Sequence, residues 1–450
     1  MSSEHTGSSE HTGSSQHAGS SARTGPPRTA VVVGGNRVPF ARARGSYAQD
    51  STQDLLTAAL DGLVARFGLA GACLGEVAAG AVLKHGTLLN LTREAVLGSA
   101  LAHDTPAVDL QQACGTGLEA AIYISNKIRL GQIDSGIAGG ADSISDTPLE
   151  VSAGLQRVLL RFTAAKTTQA KLAALAELRP RDLAPVAPQV TEPRTGLSMG
   201  ESQALTTARW GITRAAQDEY ALGSHRKLAA AWEAGFFDDL VTPHRGVTRD
   251  ESLRPDSTLE KLASLPIVFG KGPGATMTAG NSSPLNDGAA LVLLAEEQWA
   301  RERHLPVLAR IVDAEVASVD FVSGGEGLLM APARAVPRLL ARNGMTLQDL
   351  DLYEIHEAFA ATVLTTLAAW QDETYCRDAL RLPGALGTID PEKLNVNGSS
   401  LAAGHPFAAT GGRILATLAK LLAARGPGAR GLISICAAGG QGVAAILEAI

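Results

Sequence analysis

Cysteine is scarce and scattered in this sequence: Cys73, Cys114, Cys376 and Cys436, with no C-x-x-C pair among them. That spacing argues against a zinc site and against a secreted disulfide framework. A reducing, cytoplasmic setting is expected, in which a cysteine that matters is a chemical one. Aromatic residues make up only 4% of the chain. No apolar run reaches the roughly 18 residues that a membrane span requires. The net charge of −6 makes no electrostatic case for binding nucleic acid. What is plentiful is glycine, 48 residues, beside a 45% hydrophobic and 19% charged content. Such a composition builds a core with tight strand–helix turns. A length of 450 residues suits several domains or one large duplicated unit.

Residues 2–25 are four imperfect hexads, SSEHTG, SSEHTG, SSQHAG and SSARTG. They offer nothing to bury, so residues 1–27 are expected to form a disordered, low-complexity tail ending at Pro26–Pro27. Its three histidines are read as members of a repeat rather than as a metal site. The segment has no apolar core for a signal peptide, and its glutamates fit a transit peptide poorly.

From residue 28 the pattern alternates. TAVVVGGNRVPF reads as a buried strand, 52–67 as an amphipathic helix, EVAAGAVL as a strand, and GIAGGADS as another after a strand–turn–helix at 107–129. This is α/β architecture. Between 151 and 278 the chain turns helical and proline-punctuated, which marks an inserted lobe. Strand character returns at GAALVLLAEE, so 279–300 is read as a return of the first half, and 301–450 forms a second α/β unit. SPLNDGAALVLLAEE and AAGGQGVAAILEAI echo each other, so the expected fold is a duplicated α/β pair, 28–150 and 301–450, with a mostly helical insertion in the first copy.

Four residues stand where chemistry is done. Cys114 lies between the strand-like VDLQQ and a helix opened by Gly115-Thr116-Gly117, where free N–H groups favour a thiolate. A buried core cysteine is the competing reading. His405, in Gly-His-Pro before a long helix, is able to take a thiol proton, although a lone histidine at a turn is more often structural. Cys436 ends the strand LISI beside a glycine-rich loop, a place from which a thiol moves a proton at a carbon next to a carbonyl. His356, in EIHEAFAA, offers an imidazole toward an oxyanion. Its neighbour Glu357 is read as a helix N-terminal carboxylate. Gly426–Gly431 matches G-x-G-x-x-G but follows a helix and precedes a strand, the reverse of a dinucleotide site. FGKGPGAT lacks phosphate-loop spacing.

QQACGTG, HEAFA, GHPFAATGGR and CAAGGQGVA together resemble the thiolase family, as do SMGES and TAGNSSPLNDGAA. The resemblance runs from about residue 28 to the end, in the family's order, and implies two stacked α/β halves with an inserted loop domain. It implies that Cys114 becomes acylated by 3-ketoacyl-CoA or acetyl-CoA, that His405 takes its proton, and that Cys436 protonates or deprotonates the acetyl-CoA carbon. It places His356 with His405 at an enolate oxyanion site, and the N–H groups of Cys114 and Ala438 at the tetrahedral oxyanion. Ser283 and Met199 are expected along the pantetheine arm. Coenzyme A is then a substrate, no cofactor or metal is called for, and a homodimer or homotetramer is the family habit.

The sequence departs from the common pattern in places. Many thiolases carry asparagine at His356; the histidine form resembles the bacterial fatty-acid oxidation and mitochondrial trifunctional-protein β-subunit group. Thr116 stands where serine is frequent, and Ala438 where glycine is, so a backbone donor at Ala438 requires a negative φ. Between 151 and 176 the only charges are Arg157, Arg161, Lys166 and Lys171. A basic amphipathic helix there suits CoA phosphates, a hydroxyacyl-CoA dehydrogenase partner or an anionic membrane surface, against the plainer reading of a solvated face. Two alternatives stay open: a decarboxylating ketosynthase, which has no need of Cys436, and a non-catalytic CoA- or lipid-binding relative.

Overall fold

In the computed structural model, residues 28–188, 191–272 and 274–450 are described; the hexad repeat lies outside them. Twelve strands are present among these residues. β1 (Ala30–Arg37), β2 (Ala41–Arg42), β3 (Glu76–Ala79), β4 (Ala107–Asp109) and β5 (Ser135–Asp142) come first. β6 (Ile267–Phe269) and β7 (Met277–Thr278) form a separate pair. β8 (Asn286–Glu296), β9 (Ala309–Ser318), β10 (Leu352–Ile355), β11 (Arg430–Ala437) and β12 (Gln441–Ala449) complete the set.

The strand order is β10-β11-β12-β9-β1-β8-β5-β3-β4, and the duplication is written in it. Outward from β1, the partners are β8 (antiparallel), β5 (antiparallel) and β3 (parallel). Outward from β9 they are β12, β11 and β10, with the same three orientations. The echo between 283–297 and 437–450 is therefore the echo of β8 and β12. The halves join through a short antiparallel contact, Val31 with Arg310 and Val32 with Ala309.

The strands are apolar on both faces because both faces are covered. Along β12, Val443, Ala445 and Leu447 enter one core, while Ala444 and Ile446 enter another. Along β1, Val32 points to the shared core and Val31 and Val33 to the opposite side. The shared core is filled by two helices, Thr116–Arg129 and Ala409–Arg425. They pack backbone to backbone: a Cβ on Gly117 would lie 2.6 Å from the Ala408 carbonyl oxygen and 2.8 Å from the Gly412 nitrogen. Helices Thr52–Phe67 and Ala331–Arg342 cover the outer faces. The first begins at a capping box between Ser51 and Asp54 and ends on Gly68 at φ 64°, so sequence alone sets both of its ends.

Between β5 and β8 the chain leaves the sheet. It forms helices at Ala153–Ala164, Thr168–Ala176, Met199–Arg209 and Arg214–Glu233 before returning. A buried bidentate pair, Arg37 to Asp250 at 2.6 and 2.7 Å, fastens this excursion to the end of β1. The single basic helix expected at 151–176 is two. Ala165 is extended, and Thr167 caps the second helix by accepting from the Ala170 N–H, a signal hidden in the run KTTQ.

Candidate active site

Four loops converge where strands end and the two central helices begin. Cys114 follows β4 and stands one residue before Gly115, the N-cap of helix Thr116–Arg129. His356 follows β10 directly, its N–H continuing the sheet by donating to the Ser434 carbonyl at 2.8 Å. His405 precedes helix Ala409–Arg425, and Cys436 lies near the end of β11. The structure brings these residues together. His405 Nε2 is 3.2 Å from Cys114 Sγ, and the His356 and His405 rings lie 4.2 Å apart at 47°. Cys114 Sγ and a ring nitrogen from each of His356 and His405 all lie within 4.8 Å of one another.

The turn holding Cys114 is strained. Ala113 sits at φ 46°, a left-handed conformation that costs a residue with a Cβ about 1 kcal/mol or more. Thr116 holds it there: its hydroxyl donates to the Ala113 carbonyl at 2.7 Å and accepts from the Gln112 N–H at 2.9 Å. The His405 loop is fixed as firmly. Gly404 has φ 104°, and a Cβ there would strike the Asn286 amide at 2.5 Å. Asn286 Oδ1 accepts from the His405 N–H at 3.2 Å. Buried Asp142, at the end of β5, accepts from the N–H groups of Val82, Leu83 and Ala408, tying three segments together beneath the site.

Burial sets the electrostatics. Cys114 as a residue is half-buried, but its sulfur is densely surrounded. Desolvation, aided by the Asp142 carboxylate, pushes its thiol up to about 12. The pull of a helix start toward thiolate is outweighed here by desolvation, since helix Thr116–Arg129 begins beyond Cys114. The N–H groups of Ala438 and of Cys114 itself pull the other way. Burial, then the Arg413 charge, lowers His405 to about 3, so the imidazole is neutral and able to accept the thiol proton. Burial, then His405 and Arg413, hold His356 well below its ordinary value. Cys436 is raised by burial and by Cys114, which keeps it a protonated thiol. It lies in an apolar nest of Met277, Leu328, Ala358 and Phe359, with Met199 packed alongside.

Ala438 is absent from the positive-φ residues; Gly439 at 76° and Gly440 at 70° turn the chain instead. The alanine therefore meets the condition for a backbone donor. Ser283 is half-buried and donates its N–H to the Ala358 carbonyl at 3.0 Å, fastening its loop to that of His356. Glu357 is not a helix-start carboxylate. It accepts from Tyr220 at 3.1 Å, Ser224 at 2.8 Å, Asn395 at 2.9 Å and the Leu401 N–H at 3.0 Å, so it clamps the lobe helix to the site.

Sequence reasoning missed Asp142, Thr410, Ser400, Arg413 and Glu192. Glu192, from the lobe, accepts from the Gly439 N–H at 2.7 Å. A lone arginine inside the otherwise apolar GGRILATLA was the available sign that something buried needed a charge.

Comparison with known proteins gives one answer throughout. The descriptions "Thiolase, N-terminal domain" and "Thiolase, C-terminal domain" match residues 30–298 and 305–449. The chain is 39% identical over 424 residues to the 3-ketoacyl-CoA thiolases of Yersinia pestis and Yersinia pseudotuberculosis, covering 93% of this chain and 96% of theirs. Its structure is similar to that of the Bacillus anthracis acetyl-CoA acetyltransferase, with TM-score 0.77, 30% identity, and coverage of 94% and 99%. It is also similar to human mitochondrial 3-ketoacyl-CoA thiolase in complex with CoA, with TM-score 0.76, 28% identity, and coverage of 94% and 98%. The chain therefore belongs to the thiolase family of acyltransferases.

Proposed function

We propose that this protein is a 3-ketoacyl-CoA thiolase, cleaving its substrate with CoA to acetyl-CoA and a shortened acyl-CoA, or running the reverse condensation. The observation that carries the reading is the 3.2 Å contact between Cys114 Sγ and His405 Nε2, with the thiol of Cys436 buried beside them. As Cys114 Sγ attacks the 3-keto carbon, its proton passes to His405 Nε2. The N–H groups of Cys114 and Ala438 hold the tetrahedral oxyanion. The C2–C3 bond breaks, its electrons forming the acetyl-CoA enolate, whose oxygen is held by His356 and His405. Cys436 gives its proton to C2. A CoA thiol then gives its proton to the Cys436 thiolate and attacks the acyl-Cys114 thioester, and Cys114 leaves as a thiolate that recovers its proton from His405. Met199 and Ser283 flank the pantetheine arm in this reading.

Cys436 favours a thiolase over a ketosynthase, since decarboxylation would supply the carbanion without a second thiol. The retention of Cys114, His405 and Cys436 in one site disfavours a purely binding role. His356 supports placement with the β-oxidation thiolases. A cytoplasmic homodimer or homotetramer is our proposal for the assembly; no helix among the described residues is long and apolar enough to cross a membrane. Helices Ala153–Ala164 and Thr168–Ala176 expose Leu159, Leu160, Leu172 and Leu175 beside Arg157 and Lys171. That combination suits contact with a hydroxyacyl-CoA dehydrogenase or an anionic membrane. Charge reversal at Arg157 and Arg161 that changed neither CoA affinity nor association would remove the idea.

The test of the activity is thiolysis of acetoacetyl-CoA and of a longer 3-ketoacyl-CoA by the native protein and by Cys114→Ala. Turnover lost in the variant supports the reading, and the ratio of rates gives the chain-length preference. A folded native protein that binds CoA but cleaves neither substrate contradicts it.

A further inference from the structure

The two histidines have different partners on the ring nitrogen that faces away from the reaction. His405 Nδ1 is 2.6 Å from Thr410 Oγ1 and its Nε2 meets Cys114, so the proton-accepting nitrogen faces the nucleophile. His356 Nδ1 is 3.0 Å from Ser400 Oγ, while its Nε2 is buried with no partner. Ser400 Oγ has a second neighbour: Arg413 Nη2 donates to it at 3.0 Å and to Ser399 Oγ at 2.9 Å.

Guanidinium nitrogens only donate. Arg413 therefore uses Ser400 as an acceptor. The serine hydroxyl hydrogen is left to point at His356, since Ser400 Oγ makes no other hydrogen bond among the described residues. An imidazole that accepts at Nδ1 carries its proton on Nε2. The opposite arrangement would make Ser400 accept twice, strand its own hydroxyl hydrogen in a buried site, and turn a bare nitrogen lone pair toward the substrate oxygen. We propose that Ser400, oriented by Arg413, is a positioning residue that locks His356 in the Nε2–H tautomer, so that it meets the enolate oxygen as a hydrogen-bond donor. The enolate rests on the thiolase reading above; the tautomer does not.

The arrangement gives the two adjacent rings opposite tasks, one accepting a proton at Nε2 and the other donating a hydrogen bond from it. It also explains why a buried arginine stands next to two histidines. Burial is the larger cause that disfavours imidazolium at both rings, and the arginine charge adds to it.

The test is the side-chain nitrogen spectrum of the full-length protein labelled with 15N-histidine, with the His356 signals identified by their loss in His356→Asn. A protonated, pyrrole-like Nε2 and a pyridine-like Nδ1 are expected. Ser400→Ala should mix the tautomers and lower kcat for thiolysis by about tenfold to a hundredfold, short of the roughly 10²–10³ cost of deleting an oxyanion donor. KM should change little, and Ser400→Thr should restore both the spectrum and kcat. A native His356 protonated on Nδ1 overturns the proposal, as does a Ser400→Ala protein whose spectrum and kcat match the parent. The spectrum needs no turnover. An inactive protein with the Nε2–H form would thus sink the thiolase reading alone, and an active one with Nδ1–H would sink this proposal alone.

Discussion

Cys114 Sγ and His405 Nε2 lie 3.2 Å apart although 291 residues of chain separate them. Each is delivered by the start of one of two helices that touch at glycines, so the proposed nucleophile and base are positioned by the packing of one half of the duplication against the other. Because the thiol is pushed up to about 12, it needs the base at the moment of attack. His405→Ala should lower kcat/KM for thiolysis by about 10²–10⁴, the usual worth of a general base, and slow alkylation of Cys114 by iodoacetamide. Parent-like rates in a folded variant would contradict the pairing.

Cys436 is assigned to the proton at C2 and not to the acyl group. Cys436→Ser should retain acylation of Cys114 by acetyl-CoA but lose exchange of the acetyl protons with deuterated solvent by about 100-fold or more. Exchange that persists in the variant would move the acid to another group.

The backbone contact of Gly117 and Gly411 is the weld between halves. A Cβ on Gly411 would collide with the Leu118 N–H inside a core with no slack. Gly411→Ala should cost about 1–3 kcal/mol and lower the melting temperature. An unchanged melting temperature would mean that the helices separate more readily than their packing implies.

Stability should fall in acid. The folded value of His405, about 3, lies below its ordinary 6.5 because burial and then Arg413 disfavour the charged ring. The unfolded chain binds this proton more readily, so the contribution is complete above about pH 6.5 and is lost as pH falls toward 3. Asp142, raised to about 7 by burial, acts oppositely: its contribution is full below its unfolded value and declines as pH rises toward 7. The contrast with a variant isolates the histidine. Between about pH 6.5 and 4, the urea midpoint of the parent should fall more steeply than that of His405→Asn. Parallel curves would mean that the ring is not held neutral.

Much of this was legible in the sequence. The helix at 52–67 and the strands around GIAGGADS and LISI were readable because capping and apolar runs are local signals. The kinship of β8 and β12 was readable as a repeated pattern. Cys114, the proposed nucleophile, was visible just past a strand, and His405, the proposed base, at a turn before a long helix. What was hidden depended on distance. The ionisation of Cys114 turned on how densely the folded chain surrounds its sulfur, which no helix-start rule contains. Glu357 looked like a helix-start carboxylate because its partners Tyr220, Ser224 and Asn395 lie 137, 133 and 38 residues away. Ser400 acquires meaning only once Arg413 and His356 are seen on either side of its hydroxyl.

The central claim is that Cys114 carries the acyl group. The direct measurement is the mass of the protein after brief mixing with acetyl-CoA and an acid quench, followed by peptide mapping. We predict a single acetyl increment on the peptide containing Cys114, removed when free CoA is added and absent from Cys114→Ala. An acetyl group on another residue, or steady thiolysis with no acylated Cys114 under rapid quench, would contradict the account.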